Sequence, residues 1–109
     1  MTYDRNLAER IRWVLVDDGV TEREMFGGIA FMLHGNMVCG VIRDALLLRL
    51  GPEGCAAALE EDHTRPMDFT GKPMRSMMLV DPPGIEREED LAAWIERARA
   101  FVGTLPPKT

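Results

Sequence analysis

His34, Cys39, Cys55 and His63 are the imidazole and thiol groups of the chain, and a zinc-type site would have to be built from them. Common zinc sites bring ligands together in Cys-x-x-Cys or His-x-x-x-His pairs. No two of the four residues stand at such a spacing, so no metal ligand is assigned. Cys55 follows Gly54 near a helix beginning, where a thiolate would gain some stabilisation; the preferred reading is a buried cysteine acting as a small hydrophobe. Gly27 and Gly28 invite a phosphate-loop reading, but such a loop needs further glycines and a Gly-Lys-Ser or Gly-Lys-Thr ending at a helix start. This pair runs into a strand, which points to a backbone role, either a bulge or a crossing too tight for a β-carbon. General acid–base catalysis needs carboxylates whose pKa is shifted by burial. Asp17 with Asp18, and Glu60 to Asp62, read as solvated helix ends. No catalytic residue and no cofactor site is assigned, and the chain reads as a non-enzyme.

Two other features bear on recognition. Arg49 interrupts an otherwise apolar strand; it is either an arginine with its stem packed and its head in water, or an anchor for an acidic partner. Of eight methionines, Met25, Met32, Met37, Met67, Met74, Met77 and Met78 fall around the expected sheet. Flexible thioethers adapt to binding partners, and they equally fill irregular cores; both readings stay open.

The elements that would position these residues follow from periodicity. Leu7, Ala8, Ile11, Val14 and Leu15 recur at helical spacing over Asp4 to Val16, with Asp4 as N-cap and Gly19 suited to a left-handed ending. Ile29 to His34, Met37 to Ile42 and Ala45 to Leu50 read as three strands of an antiparallel meander, turning at Gly35-Asn36 and at Arg43-Asp44. That register places Phe31 opposite Gly40 and Met32 opposite Cys39. It sorts Ile29, Phe31, Leu33, Val38, Ile42, Ala45 and Leu47 onto one side, and Ala30, Met32, Met37, Cys39, Val41, Leu46 and Leu48 onto the other. Both sides are apolar, which implies helices on both faces or a face covered by another chain.

Gly51 and Pro52 break the third strand, and Glu53 to Glu60 forms a short helix. His63 to Pro73 reads as irregular, held down by Met67 and Phe69, with a short strand around Met67 to Phe69 pairing with a strand over Met74 to Val80. Glu86 to Val102 is the clearest helix: Leu91, Trp94, Ile95, Ala98, Phe101 and Val102 form its stripe. Acids crowd its first turns while Arg97 and Arg99 lie near its end, as the helix dipole favours. The fold class is α+β, with a three-stranded meander plus about two further strands packed with N-terminal, short middle and C-terminal helices.

Length and composition bound the rest. A chain of 109 residues with 46% hydrophobic and 28% charged residues is of the size and balance of one globular domain, taken as 1–109. A net charge of -5 argues against holding nucleic acid by phosphate neutralisation, which needs clustered Lys and Arg. No secretory signal is visible and no run of eighteen apolar residues occurs, so a cytoplasmic protein with reduced thiols and no membrane partner is expected.

The residues also match a known pattern. Arg23 with Met25, Phe26, Gly27 and Gly28; Phe31, Gly35 and Met37; Leu46, Leu48 and Arg49; Met67 to Phe69; Met77 before the Pro82 loop; and Leu91 with Trp94 together resemble the N-terminal domain of the TfoX/Sxy competence regulators. At the position where that pattern has an aromatic after serine and methionine, Met78 and Leu79 follow Met77. The resemblance implies a small α+β domain with helices on an antiparallel sheet, standing alone without the helical C-terminal domain of two-domain members. Those members regulate DNA uptake alongside the cyclic-AMP receptor protein, and the resemblance implies no catalytic residues here. A protein-interaction domain with a role in transcription is expected, binding a protein partner or a second copy of itself through Met25, Phe26, Met32, Met37, Arg49 and Met77. The alternative is a small-molecule or enzymatic pocket between the sheet and the C-terminal helix, with Arg49 and His63 converging on it.

Overall fold

Asp4 opens the first helix by capping it: its Oδ1 accepts from the backbone N–H groups of Asn6 at 2.9 Å and Leu7 at 3.1 Å, which satisfies two of the four donors a helix start leaves unpaired. The computed structural model describes residues 3–69 and 71–107, and the anchoring role expected of the Phe69 side chain lies outside the described residues. The first helix, α1, is Arg5–Val14, with Leu7, Ala8 and Ile11 buried. Gly19 takes the expected positive φ of 68°.

Four strands follow in a meander, β1 Thr21–Met25, β2 Gly28–Leu33, β3 Asn36–Ile42 and β4 Ala45–Arg49. A short helix, α2 Gly51–Ala58, then carries the chain to β5 Thr64–Phe69, which returns as β6 Lys72–Val80. A 3-10 turn over Pro82–Gly84 leads to α3, Glu88–Val102. The sheet is six-stranded and antiparallel in the order β1-β2-β3-β4-β6-β5. Strand β1 was not anticipated, because Thr-Glu-Arg-Glu-Met lacks the apolar alternation of a half-buried strand and its first four residues are exposed. Strand β5 is longer than expected, taking in residues read as irregular.

The hairpin register differs from the sequence reading. The β2–β3 turn is His34-Gly35, both at positive φ (52° and 82°), and Asn36 pairs with Leu33. Phe31 pairs with Cys39 and Met32 with Met37, so Val38 is an extra residue in the ladder. Such a bulge lets two successive residues face the same way, and Val38 and Cys39 both join the helix-side core. Every assignment beyond Val38 therefore exchanges sides. Val41, Leu46 and Leu48 lie with Ile29 and Phe31, whereas Ile42, Ala45 and Leu47 lie with Ala30, Met32 and Met37. The Arg43-Asp44 turn stands as expected, with Ile42 paired to Ala45.

The two long helices, α1 and α3, line one face only. Leu91, Trp94, Ile95, Ala98 and Val102 of α3 pack with Leu7, Ile11 and Leu15 against Phe31, Val41, Leu46 and Leu48. Arg10 ties the two long helices, donating to the Ile85 carbonyl at 2.5 Å and to Glu88 at 2.6 Å. No helix residue belongs to the second cluster, Ala30, Met32, Met37, Ala45, Leu47, Met67 and Leu79, yet all seven are buried. Neither helices on both sides nor a second chain is needed to bury this face. Six flat strands would set β1 and β5 about 24 Å apart at the usual spacing, but Phe26, just after β1, and Met67 in β5 line one cleft. The sheet coils until its two ends approach, and long methionine side chains fill the concavity.

Candidate functional site: the methionine-lined sheet face

The Met-Phe-Gly-Gly block is a hairpin turn. Met25 pairs with Gly28, leaving Phe26 and Gly27 as two turn residues at φ 56° and 75°. Paired positive φ values suit the strand twist and ordinarily select Asn-Gly; a phenylalanine there costs about 1–2 kcal/mol. Its half-buried ring packs against the second cluster, so the strained backbone aims a large apolar group at the concave face. Gly28 answers the bulge-or-crossing question. A β-carbon there would press on the Val41 carbonyl oxygen and lie 3.0 Å from its carbon, so glycine allows β2 and β3 to close. Gly40 does the same from the other strand, since its β-carbon would stand 3.1 Å from the Ala30 Cα.

The six residues read from the sequence as partner-binding share this face. Met32 and Met37 are paired across β2 and β3 and form its floor. Met25, Phe26 and Met77 are partly buried at its rim. Arg49 stands directly opposite Met77, two residues along β4 from the floor residue Leu47, and its Nε is buried without a hydrogen-bond partner. Met67 and Met74, opposite each other in β5 and β6, join the same cluster and were left out of that set. Their membership depends on the β5–β6 register, which the sequence does not mark. Met78 points the other way and is fully buried among the helices.

By the same register Arg23, opposite Ala30, and Arg65, opposite Leu79, flank the concavity. Arg65 is held by Asp81, its Nε donating to both carboxylate oxygens at 2.9 and 3.0 Å, and this hydrogen bonding raises its pKa further above the usual arginine value. Between Phe26 and Met67 opens a cleft of about 430 Å³, with Arg43, Asp44, Arg65 and Asp68 at its polar edge.

The soft ligands do not converge. His34 and His63 are exposed and hold turn-type positive φ angles of 52° and 67°. Cys39 faces Phe31 rather than Met32 and lies wholly inside the helix-side core, where desolvation drives its thiol pKa far up. Burial likewise raises Cys55, against a smaller opposing hydrogen bond from the Leu50 backbone. Among the described residues no group of three His, Cys, Asp or Glu side chains is arranged to hold a metal ion, and no helix is long and apolar enough to cross a membrane. Arg49 and His63 line neither the Phe26 cleft nor a second groove beside α2, so neither of these spaces is the pocket expected between the sheet and α3.

Residues 16–102 match the family model described as the TfoX N-terminal domain. No curated protein matches the chain.

Proposed function

From the premise that this chain belongs to the TfoX N-terminal domain family, we propose that it is a non-enzymatic regulatory domain of the cytoplasm that acts by docking a protein partner on the methionine-lined face. The observation that carries this reading is the collection of Met25, Phe26, Arg49 and Met77 on the rim of the sheet face opposite α1 and α3. Thioether and aromatic groups there supply adaptable apolar contact. Arg23 and Arg49 add positive charge to that face of a chain whose net charge is -5, which favours an acidic partner. The family supports a role in regulating competence genes, carried out through such a complex rather than by direct contact with DNA.

The test is affinity capture from the native cell. Wild-type protein is expected to retain a discrete partner that both Phe26→Asn, which tolerates the turn's positive φ, and Arg49→Met release. Trp13→Ser, altering an exposed residue on the outer side of α1, serves as the control and keeps the partner. Capture unaffected by the Phe26 and Arg49 changes would refute the assignment to this face.

A further inference from the structure

The β5–β6 ladder contains a second irregularity that opens a groove. Pro66 pairs with Met78 and Met67 with Met74, so Arg75, Ser76 and Met77 have no counterpart in β5. Pro66 has no N–H with which to continue a regular ladder. Two of these three residues of β6 are held from the other side, where Met77 pairs with Arg49 and the Ser76 carbonyl accepts the Leu50 N–H at 3.0 Å. Between these residues and α2 lies a groove of about 350 Å³, within the size range of small-ligand pockets.

One wall of this groove is α2 with its C-cap, contributing Pro52, Ala56 and Leu59. These are spaced i, i+4 and i+7, one helical face about 10 Å long. All three are exposed, Leu59 being one of few large apolar side chains that are. The opposite wall is apolar too, from Pro66, Pro73 and the methionines at 67, 74 and 77; Arg75 is the single charged group on the lining. An apolar groove with one cation at its wall and about 10 Å of helix face along it matches an alkyl chain ending in a single anion, and one cation leaves a polyanion largely unmatched.

We propose that this groove binds a medium-chain alkyl carboxylate, the chain lying along Pro52, Ala56 and Leu59 and the carboxylate meeting Arg75. The groove shares Met67 with the Phe26 cleft and Met77 with the rim of the docking face, so the test is made at Ala56 and Arg75, which lie outside the residues assigned to partner docking and keep the two outcomes distinguishable. Calorimetry or Met-methyl NMR with decanoate, and with decanol as the uncharged homologue, tests it at concentrations below micelle formation. Wild-type protein is expected to bind one decanoate saturably. Arg75→Gln weakens decanoate about threefold to fivefold, the scale of a solvent-exposed ion pair, and leaves decanol unchanged. Ala56→Trp, at an exposed helix position, fills the groove and abolishes binding of both while circular dichroism stays native. Absence of saturable binding, binding that survives Ala56→Trp, or an Arg75→Gln effect equal on decanoate and decanol would each overturn the proposal.

Discussion

Exchange of Gly28 for alanine, set beside the same exchange at Gly27, separates a packing role from a conformational one within two adjacent residues. At Gly27 an added β-carbon meets nothing within 4 Å, and the φ of 75° is the only obstacle; a left-handed alanine costs about 1–2 kcal/mol. At Gly28 the β-carbon runs into the Val41 carbonyl and stands 3.3 Å from the Ile42 Cα. Those are backbone atoms, which no rotamer change can move. Strands β2 and β3 must part at the end of their ladder, beside the Ile29–Val41 pair. Loss of one or two ladder hydrogen bonds and exposure of their buried partners to no acceptor amounts to about 3 kcal/mol or more. For a domain of this size each kcal/mol lowers Tm by about 4 °C or more. Urea and thermal unfolding should therefore show Gly27→Ala down by about 5 °C and Gly28→Ala down by at least about 12 °C, with Phe26 strain unchanged in both. Equal losses at the two positions, or the larger loss at Gly27, would refute the tight-crossing explanation of Gly28.

Two further outcomes follow from named side chains. Glu22 accepts two hydrogen bonds from Arg12, at 2.6 and 2.8 Å, and these lower its pKa against a smaller desolvation effect. A depressed folded pKa gives stability that is present above the unfolded carboxylate pKa near about 4.3 and is lost as pH falls through the folded value. Both side chains are 37% exposed, so the effect is at most about 1 kcal/mol; Glu22→Gln should lower urea stability at pH 7 and leave it unchanged near pH 2, and a difference that persisted in acid would contradict this. The two thiols should differ in reactivity. Cys55 borders the α2 groove whereas Cys39 is sealed in the core, so iodoacetamide labelling read by mass spectrometry should modify Cys55 first and Cys39 only on unfolding.

The legible parts of the sequence were those with local markers. Asp4 announced a cap, the Leu91-Trp94-Ile95-Ala98 spacing announced α3, and Arg43-Asp44 announced a turn, each because a single residue type has a distinct physical preference. The sheet faces were not legible, because Met37-Val38-Cys39-Gly40-Val41 is apolar throughout. A bulge at Val38 changes which side chains face the helices without changing any residue's polarity. Strand β1 was hidden for the opposite reason: edge position and full exposure allow charged residues where a buried strand would need apolar ones. The six candidate residues nevertheless came together. The bulge lies after Met37, so Met32 and Met37 kept their shared side; Met25 falls with them through the unanticipated β1–β2 pairing, and Arg49 joined the same face because β4 as a whole exchanged sides. Met67 and Met74 were out of reach, since their place on that face rests on a register shift at Pro66.

The central claim is that the methionine-lined face is occupied by a protein partner in the cell, and the methionines themselves are the probes. Mild peroxide oxidation followed by peptide mass spectrometry should oxidise Met25, Met74 and Met77, at the rim, faster than the buried Met37 and Met78 in purified protein. In native cell extract the rim residues should become protected while the order of the buried ones stays the same. Rim methionines that oxidise in extract as fast as in the purified protein would contradict it.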